Sequence, residues 1–344
     1  MATLPKIIAN AVAELSPRQR EVVVARFGLE GKKEGDTLAA IGDRLHITRE
    51  RVRQIEKGAM ATVAKNVLKH DETVATLAKI RNYIMGKGGI AGKHDVAAYA
   101  AMLVKGMGVA QLDFLAEASG TFSAHRDDDD FVPLYVSDEK EWKAARSFVE
   151  KWTNMLRAHR NQVFSGSYRA ELASFVKEST VSAAIAENYL SLTKRIGKNP
   201  YGDEGLSDWP EISPKTVRDK IYLVLAKNGE PLHFETIARR INEVKFEDNR
   251  KALGPTVHNE LIKDDRFVLV GRGMYGLRER GYEPGIAREV IARVLKEKGP
   301  MLAKDVVTHV TKQRFFKPNT VVINLQNKAM FEHLPDGRYR VREA

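Results

Sequence analysis

The 344-residue chain reads as mainly α, with a helix-turn-helix head followed by tandem winged-helix modules that carry small β-ribbons. Three observations point to this class. Within residues 37–64, a capped apolar helix, a short turn and a second capped, basic helix follow one another. Further along, a pattern of apolar helix, Lys and Gly stop, two more helices and a β-ribbon recurs. Positive charge gathers at the two ends. Lys and Arg number 56 against 45 Asp and Glu, a net +11. Residues 1–70 hold 13 basic and 8 acidic side chains, 71–210 hold 17 and 19, 211–284 hold 14 and 12, and 285–344 hold 12 and 6. Basic ends around a near-neutral centre suit nucleic-acid-facing termini joined by a scaffold.

The head is legible residue by residue. Ser16 is a good N-cap and Pro17 at the first helical position loses no needed donor, so a helix opens there. Val22, Val23 and Phe27 form its apolar side, and Gly28 suits the left-handed residue that stops it. Thr37 caps a second helix through Leu45. After the turn His46-Ile47, Thr48 caps a third, with Val52, Ile55 and Ala59 inward. Its outward side carries Arg49, Glu50, Arg51, Arg53 and Gln54, the residue types that read base edges. Arg forks onto guanine, Glu accepts from the cytosine amino group, and Gln pairs with adenine. A surface helix laced with salt bridges has the same pattern.

Residues 15–29 and 37–64 resemble region 4 of the primary bacterial RNA polymerase sigma factors. The string Thr48-Arg49-Glu50-Arg51-Val52-Arg53-Gln54-Ile55-Glu56 is nearly that family's recognition-helix signature, reinforced by Arg26-Phe27-Gly28-Leu29. The resemblance implies a module that reads the −35 promoter element and docks on the flap of the polymerase β subunit. Arg49, Glu50 and Gln54 match base-contacting positions, and Arg51, Arg53 and Lys57 match backbone- or activator-facing ones. Gly58 stands where the family usually has a second Lys, removing one basic contact and weakening the helix by ~1 kcal/mol. The resemblance covers about a fifth of the chain, and the aromatic-rich region that melts the −10 element is not found. The expectation is a sigma-like regulator and not a self-sufficient sigma factor.

Beyond the head, first helices end at 80–89, 221–231 and 290–300. Second helices are expected at 96–103, 234–241 and 303–310, third helices at 110–118, 255–262 and 319–327, and ribbons at 122–136, 267–277 and 330–341. Three helices and a ribbon make a winged helix. Residues 138–210 read as a degenerate copy, with helices at 141–157, 169–177 and 181–194 and no evident wing; Trp142, Trp152 and Tyr189 are expected to be packing aromatics. The expected organisation is therefore 1–70, 71–137, 138–210, 211–282 and 283–344. Residues 213–280 resemble a HARE-type winged helix, the fold of the N-terminal domain of the RNA polymerase delta subunit, on Ser213-Pro214-Lys215-Thr216-Val217-Arg218-Asp219, Asp265-Arg266-Phe267-Val268 and Met274-Tyr275-Gly276-Leu277. In the last module Arg314 and Lys317 flank the third helix. Arg338, Arg340 and Arg342 alternate along a strand, which puts them on one face for phosphate contact or makes them guards of an edge strand.

Other function classes find little support. No window approaches the ~20 consecutive apolar residues of a membrane span, and the N-terminus lacks a secretory signal. Without cysteine there are no thiolate zinc sites, disulfides or cysteine nucleophiles. Asp127–130 with Glu141 and Lys143 faintly suggests a metal-dependent nuclease, but the run reads as a solvated acidic turn at a wing tip. Gly86-Lys87-Gly88-Gly89 lacks phosphate-loop spacing. No catalytic residue, cofactor or metal is expected. The partners expected are double-stranded DNA and RNA polymerase, in the cytoplasm at the nucleoid. The alternative is a polymerase-binding interaction protein that reads no DNA sequence itself.

Overall fold

A computed structural model describes residues 3–29, 35–160, 166–246, 248, 250–282, 285, 287–313 and 316–342. The chain divides into two units, Met1–Gly197 and Lys198–Ala344. It is mainly α with small antiparallel sheets, as the sequence predicts.

The first unit opens with α1 (Leu4–Val12), α2 (Pro17–Phe27), α3 (Leu38–Leu45) and α4 (Arg49–Lys69). The sequence reading passed over α1, although Ile7 and Ala11 sit one turn apart and are both buried. A capping box starts α2. The Gln19 backbone N–H donates to Ser16 Oγ at 3.4 Å, and the Ser16 N–H to Gln19 Oε1 at 3.1 Å. Gly28, at φ 65°, ends it. Then follow α5 (Asp71–Gly86), β1 (Ile90–Gly92), α6 (Lys93–Leu103), α7 (Val109–Ser119), β2 (Ser123–His125) and β3 (Leu134–Val136). One hydrophobic cluster runs from Ile7 on α1 through Val63 and Val67 on α4 to Ile80, Leu112, Phe114 and Tyr135. The helix-turn-helix and the segment from α5 to β3 therefore share one core.

The rest of this unit holds α8 (Glu139–Ala158), α9 (Tyr168–Glu178) and α10 (Ala183–Leu192); the division falls within β4 (Ile196–Lys198). Trp152 and Tyr189 are buried, while Trp142 is half-buried against Phe131 and His125. The glycines of the Gly86–Gly89 run have a packing explanation. Gly88 and Gly89 adopt φ of 85° and 83°. A Cβ on Gly88 would lie 2.4 Å from Ile185 Cγ2, and one on Gly89 would lie 2.2 Å from Glu141 Cβ. Tyr189 Oη donates to the Gly88 carbonyl at 2.7 Å, and Asn188 Nδ2 to the Lys87 and Ile90 carbonyls at 2.8 and 2.9 Å.

The Asp127–130 run is at the β2–β3 tip, exposed at Asp127, Asp128 and Asp129 as a solvated turn should be, and it also carries ion pairs that the sequence did not suggest. Asp127 pairs with Lys194 at 2.9 Å, Asp128 with His125 at 2.8 Å, and Asp130 with Arg195 through two contacts of 2.5 and 2.7 Å. The partners at 194–195 follow α10, more than sixty residues away, so no local pattern could reveal them.

The second unit contains β5 (Glu204–Leu206), then α11 (Val217–Asn228), β6 (Leu232–His233), α12 (Phe234–Glu243), α13 (Gly254–Lys263), β7 (Phe267–Gly271) and β8 (Met274–Leu277). After these come α14 (Ala287–Lys298), β9 (Met301–Leu302), α15 (Ala303–Gln313), α16 (Pro318–Leu325), β10 (Phe331–His333) and β11 (Arg338–Val341). Three sheets share one topology: β1–β3–β2, β6–β8–β7 and β9–β11–β10, with antiparallel neighbours throughout. The first strand of each sheet escaped the sequence reading because two or three residues are too few to show a period of two. Lys220 on α11 is buried. It pairs with Asp248 at 2.6 Å and lies 4.8 Å from the Phe246 ring centroid, pinning the segment between α12 and α13.

Candidate nucleic-acid interface

Helices α3 and α4 meet over a small apolar knot of Val22, Ile41 and Val52, with Leu38, Leu45, Ile47 and Ile55 around it. The turn between them needs close backbone approach. A Cβ on Gly42 would sit 2.6 Å from the Ile47 carbonyl oxygen. His46 occupies the left-handed region at φ 54°, the only non-glycine residue to do so among those described. Thr48 then caps α4, its Oγ1 accepting from the Arg51 N–H at 3.2 Å.

With Val52 and Ala59 buried, helical geometry sets Glu50, Gln54 and Lys57 on the opposite side of α4. Arg49 and Arg53 lie on one flank of that side, and Arg51 on the other. Thr48, Arg49, Glu50, Arg51, Arg53, Gln54 and Lys57 are all exposed. They form a network along the helix: Arg53 binds both oxygens of Glu50, at 2.8 and 2.6 Å, and Arg51 Nη1 donates to Gln54 Oε1 at 3.1 Å. The hydrogen bond from Arg53 holds the Glu50 carboxyl below its ordinary value. Exposed pairs of this kind are weak, so a base edge or phosphate can replace them at small cost. Behind this face Arg26 Nε donates to Glu56 Oε1 at 3.1 Å.

The C-terminal candidates are elsewhere, in the second unit. Lys317 is the exposed N-cap residue of α16 and makes no side-chain cap bond. Arg338, Arg340 and Arg342 are exposed, as alternation requires. Arg338 is held by Asp336 at 2.7 Å and Arg340 by Glu332 at 2.7 Å. Arg314 lies outside the described residues. Among the described residues no group of three or more His, Asp or Glu is placed to hold a metal, and no helix is long and apolar enough to cross a membrane.

Helix α7 is occupied in packing. Leu112, Phe114, Leu115, Ala116 and Ala118 of α7 are all buried. Phe114 meets Phe27 of α2 edge to face, with centroids 5.3 Å apart. That docking brings Lys93, His94, Ser123 and Arg126 alongside Arg53 and Lys57 in one open cleft. Sequence reasoning missed these cleft residues because nothing in their local pattern marks them.

The fold and exposed face define a helix-turn-helix module with a charged recognition helix. Comparison with known proteins places it further: residues 11–65 match the family model for Sigma-70, region 4. Over 60 residues the chain is 47% identical to RNA polymerase sigma factor SigA2 of Synechococcus elongatus, covering 17% of this chain and 18% of that protein. Over 58 residues it is 48% identical to RNA polymerase sigma-B factor of a Nostoc species, covering 17% of each. It is also 51% identical over 53 residues to RNA polymerase sigma factor RpoS of Coxiella burnetii, covering 15% of each. The chain thus spans less than a fifth of the length of these relatives.

Proposed function

We propose that the protein is a DNA-binding transcription regulator whose sigma-like head reads a −35-type sequence in association with RNA polymerase. The observation that carries this reading is the exposed face of α4 on a helix-turn-helix that matches Sigma-70, region 4. Arg49, Glu50 and Gln54 would contact base edges, while Thr48, Arg51, Arg53 and Lys57 hold the backbone or a polymerase-bound partner. The regulator would work beside a polymerase and not as a complete sigma factor. We read the chain as five modules, 1–70, 71–137, 138–210, 211–282 and 283–344, with 211–282 of the HARE type. The recurrence of one sheet order supports that reading. Lys317, Arg338, Arg340 and the undescribed Arg314 would add phosphate contacts in the cytoplasm, at the nucleoid.

A second reading has its own observation. An open groove beside α2, lined by Leu15, Pro17, Arg20, Val24, Gly28 and Arg44, offers apolar and basic groups to a polymerase segment such as the β flap. On this reading the head docks on polymerase and reads no DNA.

The test is binding of the full chain to a duplex with the −35 hexamer of sigma-dependent promoters and to a scrambled duplex, each across a salt series. Replacing Arg49 or Gln54 by Ala is expected to cost about 1–3 kcal/mol on the hexamer and to relax preference at one position. Equal wild-type affinity for both duplexes would leave the polymerase-docking reading.

A further inference from the structure

We propose that the first winged module supplies a second DNA-contacting strip beside α4. In this strip Lys57, His94, Ser123 and Arg126 hold the phosphodiester backbone on one flank of the sequence that α4 reads. The proposal rests on α4 seating against duplex DNA, as argued above, and adds a contact that the head alone does not have.

The reasoning starts from α7. A winged helix offers DNA its third helix or its wing, and here the third helix is spent: its apolar side is buried against α2 and α4. The same docking fixes where the rest of the module goes. The start of α6, with Lys93 and His94, and the β2 edge, with Ser123 and Arg126, line one wall of a cleft whose other wall is Arg53, Lys57 and Met60 of α4. Along α4 the sequence-reading residues lie in the first two turns, and Lys57 follows directly on the same side. Backbone leaving the groove past Lys57 enters this cleft.

The charges select the ligand. Lys93 is neutralised by Asp113, with both carboxylate oxygens at 2.8 Å, and is a structural cation. Arg26 is taken by Glu56. Lys57, His94 and Arg126 are exposed and form no salt bridge among the described residues. Four acids line the same cleft, Glu56, Asp113, Glu117 and Asp138; Asp113 is held by Lys93 and Asp138 by Arg81. Glu56 already has its partner, and the Glu117 carboxyl is pushed above its ordinary value by desolvation and by Glu56. Two cations unpaired among the described residues, Lys57 and Arg126, with an imidazole and a serine hydroxyl in the same cleft match a phosphate chain better than an apolar peptide.

The experiment uses the full chain and three hexamer duplexes, one with ~12 extra base pairs on both flanks and two that are each trimmed on one flank. In the double variant His94→Ala, Arg126→Ala, both substitutions are on exposed side chains, and an unchanged melting temperature checks the fold. On the long duplex the variant is expected to bind several-fold more weakly. The slope of log affinity against log salt should be shallower by about one, since each phosphate neutralised by a cation contributes about 0.9 and Arg126 is the cation removed. Trimming one particular flank should abolish the difference between variant and wild type, and the hexamer-to-scrambled ratio should not change. Equal affinity and equal slope for variant and wild type on the long duplex would overturn the strip. So would loss, in the variant, of binding to a poly-glutamate peptide with DNA binding intact, which would make the cleft a protein site. A wild-type hexamer-to-scrambled ratio of one sinks sequence reading by α4 but not the strip, whose slope difference is read on either duplex.

Discussion

Helices α4 and α7 are each the last helix of a three-helix unit, and they pack against one another, yet they have been put to opposite uses. From Arg49 to Lys57, α4 presents seven charged or amide side chains and buries only Val52 deeply. Across its whole length α7 has neither Lys nor Arg, and it buries five residues. The position of a helix in a winged or helix-turn-helix motif therefore does not assign it to a groove; the composition of its outward face does. The contrast extends to the second unit. Helix α16, third in its module, contains no charged residue and exposes Val322 and Ile323. Two exposed basic side chains of that module, Arg338 and Arg340, sit on β11 instead. On the function proposed above, groove reading would fall to the last helix of the head, and backbone contact to the β-ribbons of the other modules.

Four substitutions at three positions test this contrast. The largest effect is expected for Phe114→Ala, which would leave a cavity where α7 meets Phe27. About 3–5 kcal/mol of stability should be lost in denaturant unfolding of the full chain. A loss below ~1 kcal/mol would mean that α7 merely rests on the head and that the contrast is overdrawn. Next comes Gly58→Ala. Gly58 is exposed on α4, and a Cβ there would meet nothing closer than Gln19 Nε2 at 4.0 Å. The change should stabilise the helix by about 0.5–1 kcal/mol, raising the unfolding midpoint without altering salt slope. Gly58→Lys should instead steepen that slope by about one. The smallest effect is expected at the turn. Relieving the left-handed strain by His46→Gly should slow amide hydrogen exchange in the first turn of α4 by an amount equivalent to ~0.5 kcal/mol. Faster exchange would show that the imidazole, and not the backbone angle, matters there.

Much of the candidate site was legible before any coordinates. The caps Ser16, Thr37 and Thr48, the Gly28 stop and the turn at His46 are local signals, and each sits where its chemistry places it. The periodicity of the later helices was equally plain, because burial of one side writes a 3.6-residue repeat into the sequence. The short strands β1, β6 and β9 were not legible, and neither was α1. The acidic run at 127–130 shows a different limit. Its composition marked a solvated acidic turn, and only the structure shows that Lys194, Arg195 and His125 engage it.

By itself, the sequence determined which segments become helices, where they start and stop, and which face of α4 carries charge. These follow from backbone donors, side-chain caps and apolar spacing within a few residues. Only the tertiary structure decided that α7 faces the head, that Gly88 and Gly89 make room for Ile185, Tyr189 and Glu141, and that Arg126 and His94 stand beside Lys57. An apolar stripe states that a face must be covered, but the hydrophobic effect is non-directional and names no partner. The choice of partner is made by shape, when distant elements close over one core.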